Sequence, residues 1–432
     1  MNRTLFLAPA ALALVSAAPP PSPDSAQLRG TIEALVGFGT RHTLSSATDP
    51  KRGIGAARRW AAGRFERISK DCGGCLKVET IGRDFTGPRA PNGVRVEDVI
   101  AVQTGTGDPT RVVIIQGHID SRVTDVMNIT ADAPGANDDA SGVALAIEAA
   151  RLLSKRKFAG TIVYAALSGE EQGLWGGTLL AETAKARGWK VAAVLNNDIV
   201  GNTHGIGGEH ITNRVRVFSE GIRSAADATG IKAQRSIGME DDSPSRALAK
   251  AVVRVGKTRP DLGLEVLAVR RPDRFSRGGD HIPFLEADYP AVRFTEPAEN
   301  YDRQHQDLRT ENGRRYGDTI DGVDFPYLAR VTALNMAVAA EIAAAPPAPR
   351  DVTIAGALSD DTTVKWAAVP TAVGYRVRWR RADGPAWTDS RDVKETTLVL
   401  KNINIDDHFF GVAALSADGA ESIVTFAGAA PR

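Results

Sequence analysis

Four short stretches of this 432-residue chain carry side chains able to bind a metal ion or move a proton. His118 and Asp120 stand in Gly-His-Ile-Asp-Ser, and Asp138 stands in Pro-Gly-Ala-Asn-Asp-Asp-Ala-Ser-Gly. Glu170 and Glu171 follow in Ser-Gly-Glu-Glu-Gln-Gly, and Asp198 in Asn-Asn-Asp-Ile-Val-Gly. With seven histidines and two cysteines in the whole chain, any metal site must lean on carboxylates. Nitrogen and carboxylate donors suit zinc, and a carboxylate can bridge two ions where an imidazole cannot. His118 and Asp120, two apart on an extended segment, face the same side, so one can ligate while the other orients it. The adjacent Glu170 and Glu171 diverge, so one can bind metal while the other holds a proton beside it. Asp138, just before a helix start, is placed for a bridging role, and the helix N-terminus favours its anionic form.

The elements that must hold these groups are legible as strand and helix patterns. Arg111 to Gln116 is a nearly continuous apolar run, as in a strand buried on both faces. Thr161–Leu167, Val191–Leu195 and Ala291–Thr295 read as further apolar strands. Ser141 to Ser154 carries Val143, Ile147, Ala150 and Ser154 at helical spacing, after the capping-competent Asp139 and Ser141. Further helices are predicted over Ala26–Val36, Gly55–Ile68 and Tyr327–Ala344. This alternation predicts an α/β fold, a three-layer sandwich on a mostly parallel mixed sheet. In such sheets ligands gather beyond the carboxyl ends of the strands, which is where His118, Glu170, Glu171 and Asp198 fall. One His-x-Asp is weak, but three consecutive strand ends delivering acid or imidazole form a pattern.

The four motifs, in this order, resemble the exported di-zinc aminopeptidases of the bacterial leucyl aminopeptidase type, whose relatives include glutamate carboxypeptidases and glutaminyl cyclases. The resemblance covers roughly residues 32–344. It implies that His118 and Asp198 hold one zinc and that Glu171 and a later histidine hold the other, with Asp138 bridging. It also implies that Asp120 steers His118 and that Glu170 is the general base. The later histidine is His305 or His281. His305 follows the last apolar strand, although Gln306 and Arg309 replace the family's usual Thr and Asp; it is the expected ligand. Asp280 and His281 resemble a family motif near the cleft that does not ligate, with Gly279 in place of its usual Ser, and their role stays open. The implied cofactor is Zn2+, two ions per subunit. The implied reaction is hydrolysis of an N-terminal peptide bond, with peptides bearing a free N-terminus as substrates. A carboxypeptidase or dipeptidase on the same cluster is the second reading, because the specificity loops, such as Gly201 to Arg277, are not readable. A non-catalytic binding protein is the third.

The remaining residues bound the setting. Arg3, the apolar stretch Leu5 to Val15 and the small residues Ser16 to Ala18 read as a signal peptide over residues 1–18, and hence as a secreted or periplasmic protein. No cysteine follows the apolar stretch, which argues against a lipid anchor. Cys72 and Cys75 then favour a local structural disulfide over a redox pair or half a zinc knuckle. Ala343 to Arg350 reads as a Pro/Ala linker, dividing a peptidase domain at 19–345 from a domain at 346–432. The latter shows short β-branched and aromatic runs with turn residues between, an all-β sandwich that resembles a fibronectin type III module. It carries Trp366 and Tyr375, with His408 at the position of the usual corner tyrosine. Such modules bind or space, so contact with a surface or polymer is expected there. His42 reads as structural, His204, His210 and His408 as surface or turn residues, and Arg270, Arg271, Arg274 and Arg277 as a solvated run. Charge is balanced, 53 basic against 52 acidic residues, which argues against nucleic acid or an anionic membrane as partner. With 43% hydrophobic and 24% charged residues, the chain is neither disordered nor a polytopic membrane protein.

Overall fold

The central strands are apolar along their whole length, and they bury both faces. The computed structural model describes residues 21–429; the expected signal peptide lies outside them. An eight-stranded mixed sheet is built from β1 (Lys77–Gly87), β2 (Ala90–Gln103), β3 (Asp108–His118), β4 (Gly160–Leu167), β5 (Lys190–Asn197), β6 (Arg214–Phe218), β7 (Glu265–Val269) and β8 (Ala291–Thr295). Its order is β1-β2-β4-β3-β5-β8-β6-β7. β4, β3, β5 and β8 run parallel in the middle, with Ile114 opposite both Val163 and Val194. The β1–β2 hairpin joins antiparallel at one edge, and β6 pairs antiparallel with β8 near the other.

Helices cover both faces. They are α1 (Ser25–Val36), α2 (Ile54–Asp71), α3 (Ala140–Leu153), α4 (Glu170–Gly173), α5 (Trp175–Ala186), α6 (Ala228–Ser236), α7 (Pro244–Thr258), α8 (Ile282–Glu286) and α9 (Phe325–Ala344). The pleat of β3 divides the core. Val113 and Ile115 pack with residues of α1, α3 and α9, whereas Val112 and Ile114 pack with Leu180, Ala181 and Phe284 of α5 and α8. This is the three-layer α/β arrangement that the strand-helix alternation predicts. The Cys72–Cys75 disulfide is formed at the end of α2, with Cα atoms 5.6 Å apart. No helix among the described residues is long and apolar enough to cross a membrane.

Two parts of the sheet escape the sequence reading. In the β1–β2 hairpin, β1 lies at the edge and is largely half-exposed, and β2 is buried mainly over its second half, behind a polar and charged start, so neither reads as a clean apolar run. The stretch from Gly201 to Arg277, read as loops, contains β6, α6, α7 and β7; its strands are only five residues each, β6 alternating with charge and β7 largely half-exposed.

After a hairpin, β9 (Arg309–Glu311) and β10 (Arg314–Tyr316), and after α9, the C-terminal part is all β. Its strands are β11 (Thr353–Ala355), β12 (Thr362–Lys365), β13 (Gly374–Arg381), β14 (Asp389–Val393), β15 (Thr397–Leu400), β16 (His408–Leu415), β17 (Thr425–Phe426) and β18 (Gly428–Ala429). They form two four-stranded sheets, β15-β12-β11-β18 and β14-β13-β16-β17. Val364 and Leu400 of one sheet meet Tyr375, Val377, Phe410 and Val412 of the other in a shared core. The Pro/Ala segment is shorter than the sequence suggests, because α9 runs through Ala344 and Ala345 is fully buried.

The sandwich is pinned to the α/β body by charge. Arg380 of β13 is fully buried and donates to the carboxylates of Asp241 and Asp242, just ahead of α7. Lys250 of α7 also pairs with Asp242. Removing one partner of a buried ion pair strands the other, a loss of about 3–5 kcal/mol. Arg380→Ala is therefore expected to lower stability in chemical denaturation by about that amount. Arg381→Ala, which breaks an exposed pair with Asp383, is expected to change it by less than about 1 kcal/mol.

Candidate metal centre

Each proposed site residue sits at the carboxyl edge of the parallel strands. His118 is the last residue of β3, Asp198 directly follows β5, and Glu170 and Glu171 open α4 just past β4. Asp138 lies immediately before the N-cap of α3, and His305 lies in the loop after β8. The Asp138–Asp139 peptide is cis.

The fold brings these residues together as two overlapping trios. Ligating atoms of His118, Asp138 and Asp198 lie within 4.8 Å of one another, and so do those of Asp138, Glu171 and His305. Asp138 belongs to both. Its Oδ1 is 3.1 Å from His118 Nε2, and its Oδ2 is 2.9 Å from His305 Nε2. His305 Nε2 is also 3.0 Å from Glu171 Oε1. The buried His118 Nε2 and Glu171 Oε1 nevertheless have no hydrogen-bond partner. Buried polar atoms are rarely left so, and a nitrogen and an oxygen aimed at one cluster fit a zinc ion.

The electrostatics ask for cations. Burial raises the Glu170 pKa well above the usual carboxylate range, and Glu171, Asp198 and Asp280 add to it against the opposing His118. Burial would lower the His305 pKa, but Glu171 and Asp138 outweigh it and lift the ring to about 10. The same exchange, against burial, holds Glu171 at about 2.

Asp120 lies against His118, with its backbone nearer the ring than its carboxylate. His118 Nδ1 meets the Asp120 backbone carbonyl at 3.1 Å, while the carboxylate is 3.6 Å away. That carboxylate instead accepts from Thr43 Oγ1 at 2.8 Å and from the backbone N–H groups of Glu170 and Glu171. Asp120 thus orients the ring through its main chain and clamps the Glu-Glu turn with its side chain. Asp280 and His281 lie outside both trios. Asp280 accepts from Gly177 N at 2.9 Å, burial lifts its pKa to about 7, and His281 Nε2 contacts Pro272 O at 2.8 Å.

Several supporting residues carry no motif of their own. Asp139 caps α3 through Gly142 N and also accepts from His118 N and Ile199 N, tying three ligand-bearing segments together. Asp318 accepts from the backbone N–H groups of Asn137 and Asp138. Arg122 lies 2.8 Å from Glu171 Oε2, and its Nη2 is 2.6 Å from His305 Nδ1. Arg293 is fully buried, 2.7 Å from Asp198 Oδ1 and 2.9 Å from Asp273 Oδ2. A charged residue in the middle of the apolar Ala-Val-Arg-Phe-Thr strand was the available signal for it. Gly279 gives it room, since a Cβ there would lie 3.2 Å from Arg293 Nη1 and 3.3 Å from Asp198 Oδ2. The arginine run is only partly solvated. Arg274 and Arg277 both pair with Glu299 at 3.1 Å, and Arg270 pairs with Asp241.

Two residues of the site have a left-handed backbone. Ile199, next to Asp198, has φ 53°, and His305 itself has φ 57°. A left-handed backbone is costly for a β-branched residue and persists where the surroundings over-determine it. His42, read as structural, is fully buried with Nε2 2.8 Å from Val126 O, and His204 and His210, read as surface or turn residues, are exposed. His408 Nδ1 contacts Asn404 O at 3.1 Å, a local backbone tie.

Two outcomes follow for metal binding. Asp138→Asn leaves both histidines facing an amide, and zinc retained after dialysis, measured by plasma mass spectrometry, should fall to less than half of wild type. Arg293→Met frees the Asp198 carboxylate to turn, and chelator competition should show zinc bound about 10–100-fold more weakly.

Residues 98–338 match the model of Peptidase family M28, which ends before the C-terminal sandwich. A "Probable zinc metalloprotease" of Leptosphaeria maculans is 45% identical over 405 residues, covering 92% of this chain and 93% of that protein. A "Probable zinc metalloprotease" of Pyricularia oryzae is 43% identical, covering 93% and 82%. Among solved structures, an aminopeptidase from Aneurinibacillus sp. strain AM-1 shares the fold with a TM-score of 0.52 at 15% identity. It covers 75% of this chain and 94% of that one. A glutaminyl cyclase of Fimbriiglobus ruber gives a TM-score of 0.55 at 18% identity, covering 76% and 98%. The buried nitrogen and carboxylate cluster thus sits where the family match falls, and the chain belongs to peptidase family M28 as a zinc metallopeptidase.

Proposed function

We propose that this metallopeptidase is a two-zinc aminopeptidase that removes the N-terminal residue of peptides. The observation that carries the reading is Asp138, which offers one oxygen to each of two histidines. In this reading His118 and Asp198 hold one ion, Glu171 and His305 hold the other, and Asp138 is shared. Bound zinc supplies Lewis-acid polarisation of the scissile carbonyl and an activated water at neutral pH. Glu170 takes the proton from the attacking water and returns it to the leaving amine, a role worth about 10²–10⁴-fold. Its raised pKa suits a group that must hold that proton between the two transfers.

The choice of the amino end rests on charge. A carboxypeptidase needs a free cation for the substrate's terminal carboxylate. Most arginines near the cluster are committed: Arg122 to Glu171, Arg293 to Asp198 and Asp273, Arg274 and Arg277 to Glu299, and Arg303 to Asp321, whereas the exposed Arg89 only donates to the Glu171 carbonyl. Acceptors are plentiful instead. Beside Asp138 a small recess of about 10 Å³ is lined by Asn137, Asn202, Glu296, Asn300 and Asp318, with Arg303, paired with Asp321, also in its wall; it has room for one amine-sized group. Export, with the fibronectin-like sandwich as an accessory unit, belongs to the same reading and is supported by the Cys72–Cys75 disulfide.

A leucine-led peptide offered free and N-acetylated tests the polarity. Leucine should be released only from the free form, and the activity should vanish with chelator and return with zinc. Cleavage of both forms from the far end would move the reading to a carboxypeptidase. Glu170→Gln should cost about 10²–10⁴-fold in kcat with zinc content unchanged. Near-normal turnover in that variant would remove Glu170 from the mechanism.

A further inference from the structure

At the opposite edge of the sheet, where β3 and β5 begin, an open cavity of about 530 Å³ lies between the α/β body and the C-terminal sandwich. Val191, Tyr289, Ile342, Pro346 and Val424 form its apolar wall. Organic ligands occupy pockets of about 300–1,000 Å³, often at domain seams.

The charges in the wall do not balance. Asp242 is taken by Arg380 and Lys250, and Asp108 pairs with Lys190 at 3.4 Å. Two cations in the wall make no ion pair among the described residues, although Asp108 acts on Arg111 from beyond contact distance. Arg111 is only 5% exposed; its Nη1 and Nη2 donate to Ile342 O at 2.6 Å and Ala343 O at 2.9 Å, and its Nε has no partner. Those carbonyls end α9, whose dipole supplies about half a negative charge. Capping therefore accounts for Arg111 in part, and a buried cation is otherwise matched by an anion. Arg350 lines the same cavity and is exposed.

We propose that this cavity binds an apolar carboxylate, with its hydrocarbon part against the wall and its charged end drawn to Arg111 and Arg350. The site is separate from the metal centre. Lys190 opens β5 and Asp198 follows its last residue, so roughly 25 Å of strand lies between them. A carboxylate of this kind arises from a fatty acid or from a hydrophobic amino acid or peptide end, and the two sources differ in the length of their apolar part.

Isothermal titration calorimetry on the full, zinc-loaded protein distinguishes them with dodecanoate, decanoate, dodecanol and N-acetylphenylalanine. One dodecanoate should bind per chain, decanoate about tenfold more weakly for its two missing methylenes, and dodecanol at least tenfold more weakly. Ala192→Trp, which fills the cavity from β5, should abolish binding with zinc content and peptidase rate retained. Arg350→Gln should weaken binding about tenfold and keeps the test open should the tryptophan variant misfold. Tighter binding of N-acetylphenylalanine than of dodecanoate, with the same loss in Arg350→Gln, would assign the site to peptide-derived carboxylates. Equal binding of dodecanoate and dodecanol, an Arg350→Gln variant that binds like wild type, or no binding of either carboxylate would overturn the proposal.

Discussion

Asp138 faces two imidazoles at once, one carboxylate oxygen to each, and much of the chain serves to keep it there. Its backbone N–H is held by Asp318, its neighbour Asp139 starts α3, and Gln304 Nε2 donates to its Oδ2. Asp139 in turn grips the ends of β3 and β5. A helix N-terminus and two strand ends are thus fastened to adjacent aspartates, so the trios do not depend on loop conformation alone. His305 is the exception. It arrives on a loop, in a left-handed backbone, and is tied through its carbonyl to Thr124 and through its ring to Arg122.

Such a density of buried acids needs compensation beyond bound metal. The chain provides one guanidinium behind each terminal carboxylate, Arg293 behind Asp198 and Arg122 behind Glu171. Each arginine leaves a second carboxylate oxygen for an ion, which is how an outer partner orients a metal ligand. Gly279 belongs to this arrangement, because a Cβ there would crowd the Arg293 guanidinium and the Asp198 carboxylate at 3.2 and 3.3 Å.

Charge also joins the two parts of the molecule. Arg380 enters from the sandwich and is neutralised by Asp241 and Asp242 of the body, while Glu421 receives Arg376 and Arg378 of its own sheet and faces Arg254 of α7. The seam is therefore specified by a few buried pairs, with apolar cavity beside them rather than continuous packing.

Local chemistry made most of the site legible in the sequence. Continuous apolar runs mark β3, β4, β5 and β8, because strands buried on both faces cannot alternate. The carboxyl ends of β3, β4 and β5, together with the segment entering α3, carry His118, Glu170, Glu171, Asp198 and Asp138. Edge strands such as β1 and β14 left no comparable signal, since half-exposed residues are free to be polar. What only the tertiary structure decided is which distant groups meet. His305, which its place after the last apolar strand already favoured over His281, reaches the cluster from the loop after β8. The Asp120 carboxylate clamps the Glu170–Glu171 turn, and Arg122 and Arg293 stand behind the ligands. Those pairings join residues up to 183 positions apart; no local pattern encodes them, because they exist only once the strands have been laid side by side.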